Sequence, residues 1–213
     1  AKVVSMAKAA EDVMIVHLAV EGDEPLLFYA GQYINIVMPD GVKRAFSFAT
    51  APGAGPTIEL QIRRVTGGRY TTHVFEEMKV GDTVDFEGPL GSFFLREDSS
   101  KPIVFVAGAT GFAPVKSMVE HAFHVGMKRQ IILYWGVRSW KDLYMPELPQ
   151  QWAAEHSNFT FVPVLSAPTM AITNAELTPC AASMHASRPP TARRRGHTGA
   201  LSATGPCRQT APR

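Results

Sequence analysis

The spacing of apolar residues changes character at about Lys101 and again after Leu165. Before Lys101, short alternating stretches are broken by glycine and proline. Val13 to Leu18 predicts a strand, and Gly31 to Met38 predicts another, ending at the turn sequence Pro39-Asp40-Gly41. Arg44 to Thr50 predicts a third strand, closed by Ala51-Pro52-Gly53. Thr57 to Val65 predicts a fourth, with Ile58, Leu60 and Ile62 on one face. Thr66-Gly67-Gly68 turns the chain into a short helix over Thr71 to Met78, with Val74, Phe75 and Met78 on one side. Val84 to Glu87 and Phe93 to Leu95 flank Gly88-Pro89-Leu90-Gly91. Strands at this spacing, with one late helix, predict a small antiparallel barrel.

After Lys101 the strands become continuous apolar runs, at 103–107, 131–135 and 159–165. Unalternating runs of this kind predict a parallel sheet covered on both faces. Between them, a helix opening at Pro114 places Val115, Met118, Val119, Ala122 and Phe123 on one stripe. Pro146 to His156 predicts the next crossover helix. The stretch Ile103 to Trp135 is therefore one βαβ unit. The predicted architecture is a β-barrel followed by the opening half of an α/β sheet.

Patterning stops after Leu165. Residues 166–213 hold none of the chain's 20 aromatic residues and are rich in Ala, Thr, Pro, Ser and Arg. Such a segment buries too little apolar surface to offset its ordering entropy. It reads either as a natural disordered tail or, given the abrupt change after a good sheet strand, as out-of-frame translation of a GC-rich gene.

Composition narrows the function classes. The 213 residues are 46% hydrophobic and 19% charged, as in a globular protein, and the apolar runs are too short for a transmembrane helix. No secretory signal is recognisable, so the expected location is cytoplasmic. The first residue, Ala1, is not Met, which points to processing or to a lost N-terminal segment. The net charge of +2 conceals an asymmetry: six arginines and one acid lie after Leu165, leaving 15 basic and 18 acidic residues before it. That mildly acidic body offers no basic stripe for nucleic acid. Both cysteines, Cys180 and Cys207, fall in the tail, so the body has neither a disulfide framework nor a Cys-ligated metal.

Two motifs carry chemistry. Gly108-Ala-Thr-Gly-Phe-Ala-Pro114 follows a strand and opens a helix, where glycine admits close backbone approach and helix-start amides attract phosphate. It lacks the GxGxxG dinucleotide spacing, and a ligand-free βα turn explains it equally well. Arg44-Ala-Phe-Ser47 sets a cation, an aromatic ring and a hydroxyl at one strand end, with Arg44 and Phe46 on one face and Ser47 either on the other or in a bend. A flavin needs this set, although an exposed Arg beside a core Phe is the plainer reading of four residues. His121 and His124 lie one turn apart on a helix with no further ligand placed to complete a metal site, and Arg193 to Arg195 reads as a solvated run.

RAFSFAT, IRRVTGGRYTTHVF, EGPLGSFFLRED, AGATGFAPVKSMVEHA and LYWGVRSWKDLYM occur in the order and spacing of the ferredoxin–NADP reductase superfamily. The chain resembles its NAD(P)H–flavin reductase and CDP-6-deoxy-glucoseen reductase-like branch over about residues 3–166. The resemblance implies a Greek-key FAD-binding β-barrel (1–98), an incomplete parallel α/β NAD(P)-binding domain (99–165) and an extra tail (166–213). It implies FAD, with FMN as the alternative, and NADH or NADPH as hydride donor. Arg44 would contact the flavin phosphates, Phe46 would pack on the isoalloxazine and Ser47 would bond its N5. Ile62, Arg63 and Arg64 would lie on the strand lining the ribityl phosphate, and Gly68, Arg69, Tyr70 and Thr71 would form the phosphate-receiving turn. Gly108, Thr110, Gly111 and Pro114 would face the nicotinamide nucleotide, Thr110 nearest the hydride path. Tyr134, Gly136, Val137, Arg138 and Asp142 would form the next loop, over ribose and phosphates.

The same resemblance implies an enzyme passing hydride from nicotinamide to flavin and on to an iron–sulfur or other electron acceptor, or releasing reduced flavin. The partner it implies is a [2Fe–2S] ferredoxin domain or protein, a domain of which would have been lost from the N-terminus. The family's Cys-Gly-Pro-type segment near the C-terminus is absent, since Cys207 follows Gly205-Pro206 in another order. The alternative expectation is a flavin-binding fragment with impaired or no reductase activity. No metal is expected in this chain.

Overall fold

A computed structural model describes residues 1–22 and 26–167, which fall within one compact unit, so the predicted tail at 166–213 lies almost wholly outside the described residues. The first part folds into two three-stranded antiparallel sheets. One has the order β1-β2-β5, from β1 (Lys2–Ala10), β2 (Val13–Ala19) and β5 (Thr57–Arg63). The other has the order β4-β3-β6, from β3 (Tyr33–Val37), β4 (Lys43–Ser47) and β6 (Phe86–Leu90). Single bridges at Lys2↔Thr83 and Phe48↔Leu60 join strands or loops of the two sheets, as a small barrel requires. Alternation fills the interior: Val16, Leu18, Ile34, Ile36, Leu60 and Ile62 are each at most 1% exposed. Each such side chain contributes about 1.5–3 kcal/mol by leaving water.

Helix α1 (Arg69–Glu76) covers one end of the barrel with Tyr70 and Val74. It begins two residues before the expected Thr71 and ends two before Met78. The sequence reading is also corrected at β6, which runs through Gly88-Pro89 rather than stopping there, whereas Phe93 to Leu95 forms no strand. Strand β1 was not individually predicted. Only Val3 in it is fully buried, so its sequence carries little periodic signal.

The second part is a parallel sheet of order β7-β8-β9, with β7 (Ile103–Gly108), β8 (Ile131–Val137) and β9 (Phe159–Leu165). Helix α2 (Phe112–His124) joins the first pair and α3 (Glu147–Glu155) the second. Pro114 is the third residue of α2, where its missing N–H would have had no helical partner. Ile103, Phe105, Ile131, Leu133, Trp135 and Phe159 face α2 and α3, with Phe112 stacked on Trp135 at 4.0 Å between ring centroids.

The expectation of a sheet covered on both faces is not met among the described residues. Val104 is 57% exposed, Val106 81% and Val164 45%. Right-handed crossovers that add strands in one direction place both helices on the same side. The other face is as apolar as a buried one but has no described element over it.

The two lobes meet along β5 and α2. Lys116, 8% exposed, donates to Ala49 O, to Glu59 Oε2 and to Glu120, each at 3.1 Å. Ser117 Oγ donates to Thr50 O at 2.6 Å. Burial pushes the Glu120 carboxyl above its ordinary value, the Glu59 charge adds to this and Lys116 opposes it. The folded chain therefore holds this proton more tightly than the unfolded chain. Its contribution to stability is full below the unfolded value of 4.5 and is lost as pH rises through the folded one. Stability curves in denaturant should show Glu120→Gln abolishing that slope. Lys116→Met should cost about 3–5 kcal/mol in the same measurement, because two carboxylates lose their buried cation.

Candidate active site

Two adjoining clefts lie where the lobes meet. The first encloses about 580 Å³, a typical size for a cofactor site. Arg44, Phe46 and Ser47 line it together, although alternation had put Ser47 on the opposite face. No side chain of β4 is fully buried in either direction, so both can border the cleft. The ring of Phe46 lies against that of Tyr70, with centroids 5.5 Å apart, giving the cleft an aromatic wall. Burial pushes the Tyr70 phenol above its ordinary value, so it stays protonated. The guanidinium of Arg44 donates to Lys43 O at 2.9 Å.

The far wall is the turn that opens α1. Thr71 Oγ1 accepts from Val65 N–H at 3.1 Å and lies 3.1 Å from Gly68 O, so one hydroxyl ties the turn to the helix. A Cβ at Gly68 would sit 2.6 Å from that hydroxyl and 3.0 Å from Val65 O. Glycine is needed here for close packing, since Gly68 has an ordinary φ of −76°. Thr110, Gly111 and Pro114 complete the cleft from the sheet side.

The second cleft, of about 550 Å³, lies at the carboxyl ends of β7 and β8, where ligands of open α/β sheets bind. Gly108, Thr110, Gly136, Val137, Arg138 and Asp142 line it, with Asp12 and Arg63 from the barrel. A Cβ at Gly108 or Gly111 would meet nothing within 4 Å, so these glycines leave open space in the turn. Ala109 holds a left-handed φ of +47°, its carbonyl accepting from the Trp135 indole at 2.9 Å. Asp142 is partly desolvated, which raises its pKa. Hydrogen bonds from the Ser139 hydroxyl and amide, both 2.9 Å, outweigh this with help from Arg138 and Lys141 and leave it below the ordinary value.

Thr110 and Arg63 line both clefts, so ligands held in the two would meet there. Arg63 is fixed by Asp12 at 2.7 Å. Other predicted site residues lie elsewhere. Ile62 is in the barrel core, and its side chain faces away from the cleft. Arg64 pairs with Glu76 and lies over the Phe75 ring. Arg69 pairs with Asp40 at 2.6 Å and borders a neighbouring hollow. That guanidinium holds the Asp40 carboxyl below its ordinary value. Tyr134 stands on the open face of the sheet, 38% exposed. His121 pairs with Glu97 at 2.9 Å, and no group of three His, Cys, Asp or Glu side chains gathers for a metal among the described residues.

Sequence reasoning missed Gln61, in the first cleft, and Tyr144, in the second. Gln61 had a signal, because it alternates with the Ile58, Leu60, Ile62 face already assigned inward. Tyr144 falls within the LYWGVRSWKDLYM motif, but nothing local gives it a role, since it reaches the cleft only through the tertiary fold.

Residues 1–95 match the oxidoreductase FAD-binding domain family, and residues 105–185 match the oxidoreductase NAD-binding domain family. The chain belongs to the ferredoxin reductase-like family. Among its relatives is the CDP-6-deoxy-L-threo-D-glycero-4-hexulose-3-dehydrase reductase of Yersinia pseudotuberculosis, 41% identical over 165 residues, which are 78% of this chain and 49% of that protein. The reductase component DmpP of phenol 2-monooxygenase from a Pseudomonas strain is 40% identical over 151 residues, 70% of this chain and 42% of that one. The crystal structure of the Amycolatopsis cytochrome P450 reductase GcoB superposes with a TM-score of 0.73 at 39% identity, covering 79% of this chain and 51% of GcoB. The chain thus spans about half the length of the curated relatives it matches. These matches give the family an FAD-binding and an NAD-binding domain in the order expected from the sequence.

Gly68→Ala should lower stability by about 1–3 kcal/mol in urea unfolding, because the added methyl overpacks the Thr71 turn.

Proposed function

We propose that this chain is an NAD(P)H-dependent flavoprotein oxidoreductase, with FAD in the first cleft and NADH or NADPH in the second. The observation that carries the reading is the shared lining of the clefts by Thr110 and Arg63. The fit to a flavin rests on an aromatic wall beside a cation, with a tightly built glycine turn opposite. When bound, the flavin supplies the redox chemistry, taking electrons in pairs from the nicotinamide and releasing them singly.

The protein's part is placement and charge. Arg44 offers a cation to the flavin phosphates, and the turn at Gly68 to Thr71 offers the helix-start amides of α1. Phe46 supplies the flat wall, and the Ser47 hydroxyl offers a hydrogen bond to the ring's reactive nitrogen. On the nucleotide side, Gly108 and Gly111 leave room for close approach, with Thr110 at the junction. Gly136, Val137 and Arg138 bound the ribose and phosphate side, and the capped Asp142 carboxylate adds an acceptor.

The electron acceptor we infer is a [2Fe–2S] ferredoxin domain or protein. Support comes from relatives named as reductase components of a dehydrase and a monooxygenase. With Cys180 and Cys207 its only cysteines, this sequence cannot supply four thiolates, so a Cys-ligated cluster would sit on another segment. Among the described residues no helix is long and apolar enough to cross a membrane. A cytoplasmic location fits the use of NAD(P)H.

A second reading, a flavin-binding fragment without turnover, is favoured by the sheet face at Val104 and Val106, which no described element covers. One experiment separates the two. The purified chain is loaded with FAD, its visible spectrum recorded, and NADH or NADPH added without oxygen. Bleaching of the flavin bands is the expected result, whereas persistent colour selects the fragment. Failure to retain FAD would sink both readings. In the same assay Arg44→Ala should weaken FAD binding about 10-fold, near the 1.5 kcal/mol of one charged hydrogen bond.

A further inference from the structure

A buried row of polar side chains joins the two clefts. On β5, Glu59, Gln61 and Arg63 share the face turned away from the barrel core. Glu59 is 8% exposed and Gln61 5%. The Gln61 amide donates to Glu59 Oε1 at 2.8 Å, and its oxygen accepts from the Tyr144 hydroxyl at 2.5 Å. Both ends of the amide are used, so its orientation is set. Glu59 is itself held by Lys116 at 3.1 Å and lies 3.7 Å from His17 Nε2.

The other end of the row reaches the nucleotide turn. The Tyr144 ring stands edge-on to Trp135, with centroids 5.2 Å apart. Trp135 in turn donates to Ala109 O, at the one non-glycine residue with positive φ among the described residues. A conformation of that kind persists where surrounding contacts impose it. Gln61 lines the first cleft and Tyr144 the second, and their hydrogen bond crosses directly from barrel to sheet lobe.

We propose that Gln61 and Tyr144 are positioning residues, whose hydrogen bond keeps the flavin cleft in register with the Gly108–Gly111 turn so that donor and acceptor meet beside Thr110. The physical demand is severe: reacting atoms must come within about 3–3.5 Å, and a displacement of about 1 Å can cost 100-fold. Without its hydroxyl, Tyr144 would keep its packing on Trp135 and Phe112 but lose its tie to β5.

The inference rests on the assignment of the clefts to FAD and a nicotinamide nucleotide. Its test uses the full chain loaded with FAD, as wild type, Tyr144→Phe and Gln61→Met. The expected result is unchanged FAD affinity in Tyr144→Phe, whose residue lies outside the flavin cleft, with anaerobic flavin reduction by NADH or NADPH slowed about 10- to 100-fold in both variants. The long-wavelength absorbance of the stacked nicotinamide–flavin pair should weaken in parallel. Amide hydrogen exchange should quicken at residues 57–63 and 108–113 in both variants. Unchanged reduction in both variants overturns the inference, as does slowing in Tyr144→Phe matched by an equal loss of FAD affinity. If wild type binds FAD but is not reduced, the proposed activity fails separately. Hydrogen exchange then decides: faster exchange at both segments supports the positioning role, and unchanged exchange overturns it.

Discussion

Lys116 lies in the seam where α2 meets the barrel, its ammonium shared by Glu59, Glu120 and the carbonyl of Ala49. Burying a charge is unfavourable unless it is paired and hydrogen-bonded, and this one has a partner in each of its three donor directions. One contact lies within its own helix, at Glu120, and the other two are on the barrel. The cation therefore stabilises the barrel–sheet junction and its own burial together. Both clefts border this junction, so their mutual placement depends on it.

The bare face of the parallel sheet follows from different physics. Strands β7, β8 and β9 are apolar in both side-chain directions, as a sheet between two layers would be. Two successive right-handed crossovers cover one of those directions only. The exposed valines are thus a consequence of strand order.

Much of the fold was legible along the chain. The periods of two in β3 and β5 and the stripe of α2 predicted elements that the structure contains, because each turns one regularly spaced apolar face to a core. Strand β1, mostly exposed, and β6, which passes through Gly88-Pro89, were hidden because neither shows regular alternation. Among the candidate site residues, Arg44, Phe46, Ser47, Gly68 and Thr110 come together at the clefts. Ile62, Arg64, Arg69 and Tyr134 do not, because strand alternation and neighbouring carboxylates turn them elsewhere.

By itself the sequence determined the barrel-then-sheet order, the family and the two local motifs. Each of these is written in short-range spacing, where residue type alone selects strand, turn or helix. Only the tertiary structure decided that RAFS and the Gly108 turn border adjoining clefts, and that Arg63 and Thr110 serve both. It alone brought Tyr144 to Gln61, 83 residues apart in the chain, and left one sheet face uncovered among the described residues. Contacts at such separation depend on how whole elements pack, and no local pattern of residues encodes them.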